Sequence, residues 1–238
     1  MKVLLVGKDT ATIEKTISSM GFEIVKESPE IIISYGGDGT LLSAERQFPE
    51  IPKLAIRNSR FCNKCQNHSD EKVLENLLAG KLKLKEYRKL ETALLYTNFY
   101  ALNDFVVRNI NPIHTIRFKY SKLNTGSISK LLIGDGIVAS TPFGSTGYFK
   151  SITRQTFNKG FGIAFNNITE KRSPVILKDQ QSLKFSLIRG QATLSFDNSP
   201  EVFTIDEGSE IIFKLSEKTA KIYDSTSLRC RDCEVIRD

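Results

Sequence analysis

The sequence predicts a chain of two domains, an α/β N-terminal domain with a doubly wound parallel sheet and a mainly β C-terminal domain. Two observations carry that fold class. Residues 1–80 alternate short apolar strands with amphipathic helices, as parallel strands joined by crossover helices do. From residue 81 the apolar spacing changes from helical to two, which suits strands with one face buried. At 238 residues the chain is long enough to bury two modest cores. No linker, internal repeat or low-complexity tract marks the boundary near Gly80, so it rests on the change of period alone. The expected division is 1–80, 81–225 and a C-terminal tail over 226–238.

Residues 2–6 read as a first strand. Ile13, Ile17 and Met20 then recur at helical spacing after Asp9 or Thr10 as cap, and Gly21 stops the turn. Residues 22–25 give a second strand, and residues 31–35 a third. The helix after it carries Leu41, Leu42, Ala44, Glu45 and Phe48 before Pro49 ends it. A fourth strand covers 53–56. A helix follows over 68–80, with Ser69 as N-cap and Asp70 and Glu71 in the first turn, where the helix dipole favours acids. Beyond it Leu82 and Leu84 alternate with lysines, Ile116, Phe118 and Tyr120 with Arg117 and Lys119, and Leu183, Phe185 and Leu187 with Lys184 and Ser186. Ala192, Leu194 and Phe196 repeat the pattern.

Composition narrows the function classes. A hydrophobic share of 40% with a charged share of 26% describes a soluble globule, with no apolar run long enough to span a bilayer. The opening M-K-V-L-L-V-G-K-D has too short an apolar core for a secretory signal and lacks a small-residue cleavage site, so a cytoplasmic location is expected. A net charge of +7 favours anionic partners, although a solvated lysine-rich surface accounts for it equally well.

The most informative stretch is 31–42, I-I-I-S-Y-G-G-D-G-T-L-L. Three isoleucines in a row suit a strand covered on both faces. Gly36, Gly37 and Gly39 let backbone N–H groups approach a phosphate at the helix start, with Thr40 completing the turn. Asp38 is the exception in that cradle. A carboxylate there repels phosphate unless it meets a metal ion or a substrate hydroxyl, the two jobs that phosphoryl transfer gives an acid. The same residues also make an ordinary glycine turn capped by Asp38 and Thr40.

A second stretch, 134–148, reads G-D-G-I-V-A-S-T-P-F-G-S-T-G-Y. A short apolar strand runs into a hydroxyl-rich turn whose N–H and O–H groups suit a base edge or a ribose, or simply solvate a Pro/Gly turn. Between the two lies A-L-N-D-F-V-V, 101–107, where Asn103 and Asp104 interrupt a buried strand. Adjacent strand side chains point to opposite faces, so at least one of the pair lines a cleft or is satisfied inside; a bulge or strand-end turn is the alternative.

G-G-D-G-T at 36–40, L-N-D at 102–104 and D-G-I-V-A-S-T-P-F-G-S-T-G-Y at 135–148 occur in the order and spacing of the NAD kinases, and the chain resembles that family over most of its length. The first motif is shared with diacylglycerol and sphingosine kinases; the T-P-x-G-S-T-x-Y turn is what distinguishes NAD kinases. The resemblance implies the family's two-domain architecture, with the C-terminal tail returning to the first domain. It implies transfer of a phosphoryl group from ATP or polyphosphate, with Mg²⁺, to the 2′-hydroxyl of the adenosine ribose of NAD, giving NADP. By that likeness Asp38 orients or deprotonates the hydroxyl, and the backbone of Gly36, Gly37, Gly39 and Thr40 faces the phosphates. Asn103 and Asp104 hold ribose hydroxyls; Ser140, Thr146, Gly147 and Tyr148 surround the adenine and its ribose, with Ser151 nearby. Asp135 belongs to a site that a neighbouring subunit completes, which implies a homo-oligomer, a dimer or tetramer.

The chain also departs from the family. The usual G-x-N-x-G-x-L-G-F segment is replaced by A-I-R-N-S-R-F-C-N-K-C over 55–65. Phe143 stands where a small polar residue is common, F-K-S-I-T-R-Q follows Tyr148 in place of A-G-G-P, and Asp197-Asn198-Ser199 replaces D-G-Q.

The four cysteines form two C-x-x-C pairs, Cys62 with Cys65 and Cys230 with Cys233. Four thiolates make the ligand set of a structural zinc if the tail returns to the first domain; disulfides, an iron–sulfur centre and free thiols are the alternatives. Two other function classes stand beside the kinase of NAD. One is a G-G-D-G-T kinase acting on a lipid or other alcohol, against which the polar 140–148 turn argues. The other is a zinc-stabilised nucleic-acid binder, for which Arg57, Arg60, Phe61, Lys64, Arg229 and Arg231 near the knuckles are the basis. The leading expectation is no nucleic acid and no membrane partner. Donor identity and the choice between NAD and NADH stay open.

Overall fold

A computed structural model describes residues 1–58, 69–94, 96–123 and 126–225. They form two compact units, Met1–Tyr87 with the described residues from Ala220 onward, and Arg88–Thr219.

In the first unit strands β1 (Lys2–Gly7), β2 (Glu23–Ile24), β3 (Ile31–Gly36) and β4 (Lys53–Arg57) alternate with helices α1 (Ala11–Ser19), α2 (Asp38–Gln47) and α3 (Asp70–Leu78). The strands are parallel in the order β2-β1-β3-β4. Every residue of β3 is buried, as its unbroken apolar run requires of a strand covered on both faces. The helices supply that cover. Ile13 and Ile17 of α1 and Val73, Leu74 and Leu77 of α3 pack in one cluster with Ile31, Ile33, Leu54 and Ile56. Ser69 caps α3 as its sequence position predicts, its hydroxyl accepting the Lys72 N–H at 3.2 Å.

The second unit is almost entirely strand: β5 (Leu84–Leu94, its start in the first unit), β6 (Thr97–Ala101), β7 (Asp104–Asn109), β8 (Ile116–Lys122), β9 (Ser127–Ile128), β10 (Leu132–Gly134) and β11 (Gly136–Ser140). A single helix α4 (Tyr148–Thr153) among the described residues precedes β12 (Phe161–Asn166), β13 (Val175–Leu177), β14 (Ser182–Arg189), β15 (Ala192–Phe196), β16 (Phe203–Ile205) and β17 (Glu210–Tyr223). One antiparallel sheet runs β13-β12-β11-β7-β15-β16, and another includes β10-β8-β14-β17. Their inner faces share a core in which Phe105, Ile137, Phe161 and Leu194 of the first meet Phe118, Phe185 and Phe213 of the second. The Phe105 and Phe213 rings stand 5.8 Å apart. The period-two alternation predicted this burial, since only every second side chain faces the other sheet. The end of β17 belongs to the first unit, where Ile222 and Tyr223 pair in parallel with Lys53 and Leu54 of β4.

Two local differences from the sequence reading have physical causes. Residues 101–107 are not one strand: β6 stops at Ala101 and β7 starts at Asp104, so Leu102 and Asn103 form the bend between them. A short helix follows Tyr148 although the A-G-G-P start is missing, and Arg154 ends it in the left-handed conformation at φ 60°.

Lys53, fully buried on β4, pairs with the buried carboxylate of Glu45 on α2 and donates to the Phe48 carbonyl at 2.5 Å. This pair ties α2, whose first residue is Asp38, to the sheet. Removing one partner leaves the other charge without its counter-ion in a dry interior, which costs about 3–5 kcal/mol, whereas replacing both with apolar residues costs far less. Lys53→Met is therefore expected to lower unfolding stability in urea by about 3–5 kcal/mol, and the further change Glu45→Leu to restore most of it.

Candidate functional site

In the first unit the candidate residues sit where β3 gives way to α2. Gly37 is the N-cap in extended conformation, Asp38 is the first helical residue, and among the described residues no side chain caps the helix. The first-turn N–H groups of a helix have no intrahelical acceptor, and the helix dipole adds positive potential there. A ligand phosphate is the natural partner for such amides. Thr40 N–H turns back to the Gly37 carbonyl at 3.0 Å, and Asn58 N–H reaches the Gly36 carbonyl at 3.2 Å. Gly36 has no room for a side chain: a Cβ there would lie 2.2 Å from Thr40 Oγ1. A Cβ on Gly37, by contrast, would meet nothing within 4 Å, so its backbone lies open. Asp38 Oδ1 is buried with no hydrogen-bond partner among the described residues. A carboxylate oxygen so placed is ready to accept from a hydroxyl or to meet a hard cation.

In the second unit the bend between β6 and β7 carries Asn103 and Asp104. Its donors and acceptors go to opposite sides. The Asp197 carboxylate accepts the N–H groups of Leu102 at 2.5 Å, Asn103 at 2.7 Å and Asp104 at 3.3 Å. Thr141 takes the acceptors, its hydroxyl donating to the Leu102 carbonyl at 2.5 Å and its N–H to the Asn103 carbonyl at 2.9 Å. Ser140 Oγ, fully buried, also donates to the Asn103 carbonyl, at 3.3 Å. Gly144 must be bare, because a Cβ would fall 2.2 Å from that carbonyl oxygen. The Asn103 side-chain oxygen remains buried without a partner among the described residues.

The other predicted residues fall on the same unit. Gly147 caps α4, Tyr148 begins it, and the Tyr148 hydroxyl accepts from Asn166 Nδ2 at 3.3 Å. Thr146 and Gly147 are exposed. Ser151 is exposed and donates to the Tyr148 carbonyl at 2.7 Å. Asp135 accepts from Asn167 Nδ2 at 3.1 Å and Asn109 Nδ2 at 3.5 Å. Cys62, Cys65, Cys230 and Cys233 lie outside the described residues, as do Arg60, Phe61, Lys64, Arg229 and Arg231. Among the described residues no group of three or more His, Cys, Asp or Glu side chains is placed to hold a metal, and no helix is long and apolar enough to cross a membrane.

Asp197 is the site residue that sequence reasoning passed over. The departure Asp197-Asn198-Ser199 reads as a lost glycine, yet Asp197 and Asn198 adopt φ 45° and 52°, and Ser199 N–H closes the turn on the Phe196 carbonyl at 2.7 Å. Asn tolerates the left-handed conformation that glycine takes elsewhere, so the turn survives the change. The available signal was an acid ending an alternating strand, too common a pattern to single out.

Burial and the neighbouring Asp197 charge push the Asp104 carboxyl from 3.8 up to about 7. Burial also raises Asp197, to about 6, against the pull of the three amides and of Lys89.

The first unit thus offers a glycine cradle at a helix N-terminus with one carboxylate oxygen that has no partner among the described residues, and the second unit offers a bend carrying an amide and a carboxyl group. Sequence and fold name the relatives. NAD kinase of Natranaerobius thermophilus is 27% identical over 233 residues, 92% of this chain and 78% of that protein. NAD kinase of Aquifex aeolicus is 29% identical over 219 residues, 85% and 78% respectively. NAD kinase of Sulfurisphaera tokodaii is 28% identical over 221 residues, 88% and 87%. The solved structure of an NAD kinase from Archaeoglobus fulgidus in complex with ATP superposes with a TM-score of 0.78 at 18% identity, covering 100% of this chain and 99% of that one. Yeast NADH kinase complexed with NADH gives 0.76 at 18% identity, covering 94% and 82%. No family model matches the chain. The chain is thus similar to the NAD kinases in sequence and shares their fold.

Because the folded chain holds the Asp104 and Asp197 protons more tightly than the unfolded chain, stability falls as pH rises from about 4 to about 7. Asp104→Asn removes the larger of the two contributions. The urea midpoint of the parent is expected to drop across that window more steeply than that of Asp104→Asn; equal slopes would show that Asp104 titrates normally.

Proposed function

We propose that the protein is an NAD kinase, an enzyme that transfers a phosphoryl group from ATP to the 2′-hydroxyl of the adenosine ribose of NAD to give NADP. The observation that carries the reading is the conjunction, among the described residues, of a helix N-terminus that no side chain caps with a carboxylate oxygen on its first residue that has no partner. The relatives called NAD kinase and the ATP-bound and NADH-bound structural neighbours support it. The lipid-kinase and nucleic-acid-binding readings find no support in those comparisons.

In this reading the amides of 37–39 take the donor phosphates, and Thr40, whose N–H turns back to the Gly37 carbonyl, closes the cradle. Little covalent work falls to the protein in phosphoryl transfer, which depends on positioning and charge neutralisation. Asp38 is a described residue suited to help hold a magnesium ion, which, bound with the triphosphate, would supply that neutralisation. Asp38 accepts the proton of the 2′-hydroxyl as that oxygen attacks the terminal phosphorus and the bond to the departing diphosphate breaks. Asn103, through its partnerless amide oxygen, and Asp104 take ribose hydroxyls; Ser140, Thr146, Gly147, Tyr148 and Ser151 lie around the adenosine, and Asp135 contributes to a shared site in a homo-oligomer. Polyphosphate offers the same anionic groups as ATP to the amides, and the location is cytoplasmic.

Asp38→Asn preserves shape and removes the base. NADP formation from NAD, ATP and Mg²⁺ is expected to fall in kcat by about 10²–10⁴-fold in this variant, with the KM for ATP little changed; a parent that makes no NADP with any phosphoryl donor would overturn the assignment. The two C-x-x-C pairs complete the reading as a tetrathiolate zinc ligand set. Metal analysis of the purified chain is expected to find about one zinc per chain, and none after Cys62→Ser with Cys230→Ser.

A further inference from the structure

Resting on the NAD kinase reading, we infer that Asp197 is a positioning residue for the acceptor nucleoside, its carboxylate holding the 102–104 bend so that Asn103 and Asp104 meet the ribose. The bend interrupts the strand ladder and leaves three consecutive N–H groups with no sheet partner. Asp197, only 6% exposed, accepts all three through two oxygens. Its own N–H returns to the Asp104 carbonyl at 3.3 Å. The ladder between β15 and β7 places Phe196 opposite Phe105, so Asp197 arrives beside the bend in fixed register. A neutral side chain cannot replace it. Asn at this position would turn its NH₂ group toward at least one of the amides, donor against donor.

The acceptors of the bend are met separately by Ser140 and Thr141, and Gly144 closes against the Asn103 carbonyl. With both sides of the backbone tied, the buried Asn103 Oδ1, which has no partner among the described residues, is left over for a ligand beside the Asp104 carboxyl. Asp197 also sets the charge that Asp104 experiences. The titratable groups that act on this pair are Asp104 on β7, Asp197 after β15 and Lys89 on β5. Removing the Asp197 charge lowers the pH at which Asp104 ionises, an electrostatic effect that a purely structural brace would not have.

The test compares the parent with Asp197→Asn. The KM for NAD is expected to rise roughly 10- to 100-fold, as loss of charged hydrogen bonds that order a ligand-binding turn does, while the KM for ATP stays within about twofold. The midpoint of the pH profile of kcat/KM for NAD is expected to move to lower pH. Equal losses toward both substrates, or a midpoint that stays in place, would reduce Asp197 to a structural brace and overturn the proposal. A readout independent of catalysis accompanies this: in the parent, the amide proton shifts of Leu102 and Asn103 should move together as Asp197 titrates. Static shifts would overturn the brace itself, even if Asp197→Asn does not fold. A parent that forms no NADP while its amides titrate together would sink the kinase reading and leave the brace standing.

Discussion

Where regular structure breaks, backbone N–H groups lose their partners, and the fate of those donors organises both units of this protein. A buried amide without an acceptor is costly, so each break must be closed by the protein or kept for a ligand. In the proposed reading the start of α2 takes the second course: among the described residues no side chain caps it, glycines keep the surface bare, and Asp38 stands as its first residue. The bend between β6 and β7 takes the first. Asp197 meets its donors, and Ser140 and Thr141 meet its acceptors, so the backbone is satisfied and the polar side chains are released for other partners.

This division fits what phosphoryl transfer needs. The phosphate end of a nucleotide is anionic and gains most from fixed amide dipoles, which need no reorganisation when charge shifts in the transition state. The nucleoside end is neutral and directional, and is better served by side chains held at a defined angle. Two carboxyl groups near one another, Asp197 buried and Asp104 half-buried, are an unfavourable arrangement for folding alone. Such an arrangement persists where ordering a binding turn matters more than stability.

Buried charge serves a structural end in the first unit. Lys53 and Glu45 are taken wholly out of water, yet with the Phe48 carbonyl they fix the far end of α2 to β4. An apolar pair would pack as well with less register, because dispersion contacts tolerate sliding and a charge pair does not. The helix that positions Asp38 is therefore held at one end by an ion pair, while its other end, in the proposed reading, keeps its amides for a phosphate.

Much of this was legible in the chain. Strand β3, helix α2 and the glycines between them follow from an unbroken isoleucine run, local turn chemistry and helical periodicity, all short-range. The alternation of Leu183, Phe185 and Leu187 fixed which faces of the β unit are buried, because a pleated strand allows no other assignment. The break at Leu102 and Asn103 was visible only as polar residues in an apolar run, without the means to tell a cleft from a turn. Tertiary structure alone decided that Asp197, distant in sequence, would grip three successive amides there, and that Lys53 would be buried against Glu45. Both depend on which strands lie side by side, and strand order is set by the packing of the whole chain rather than by any local segment.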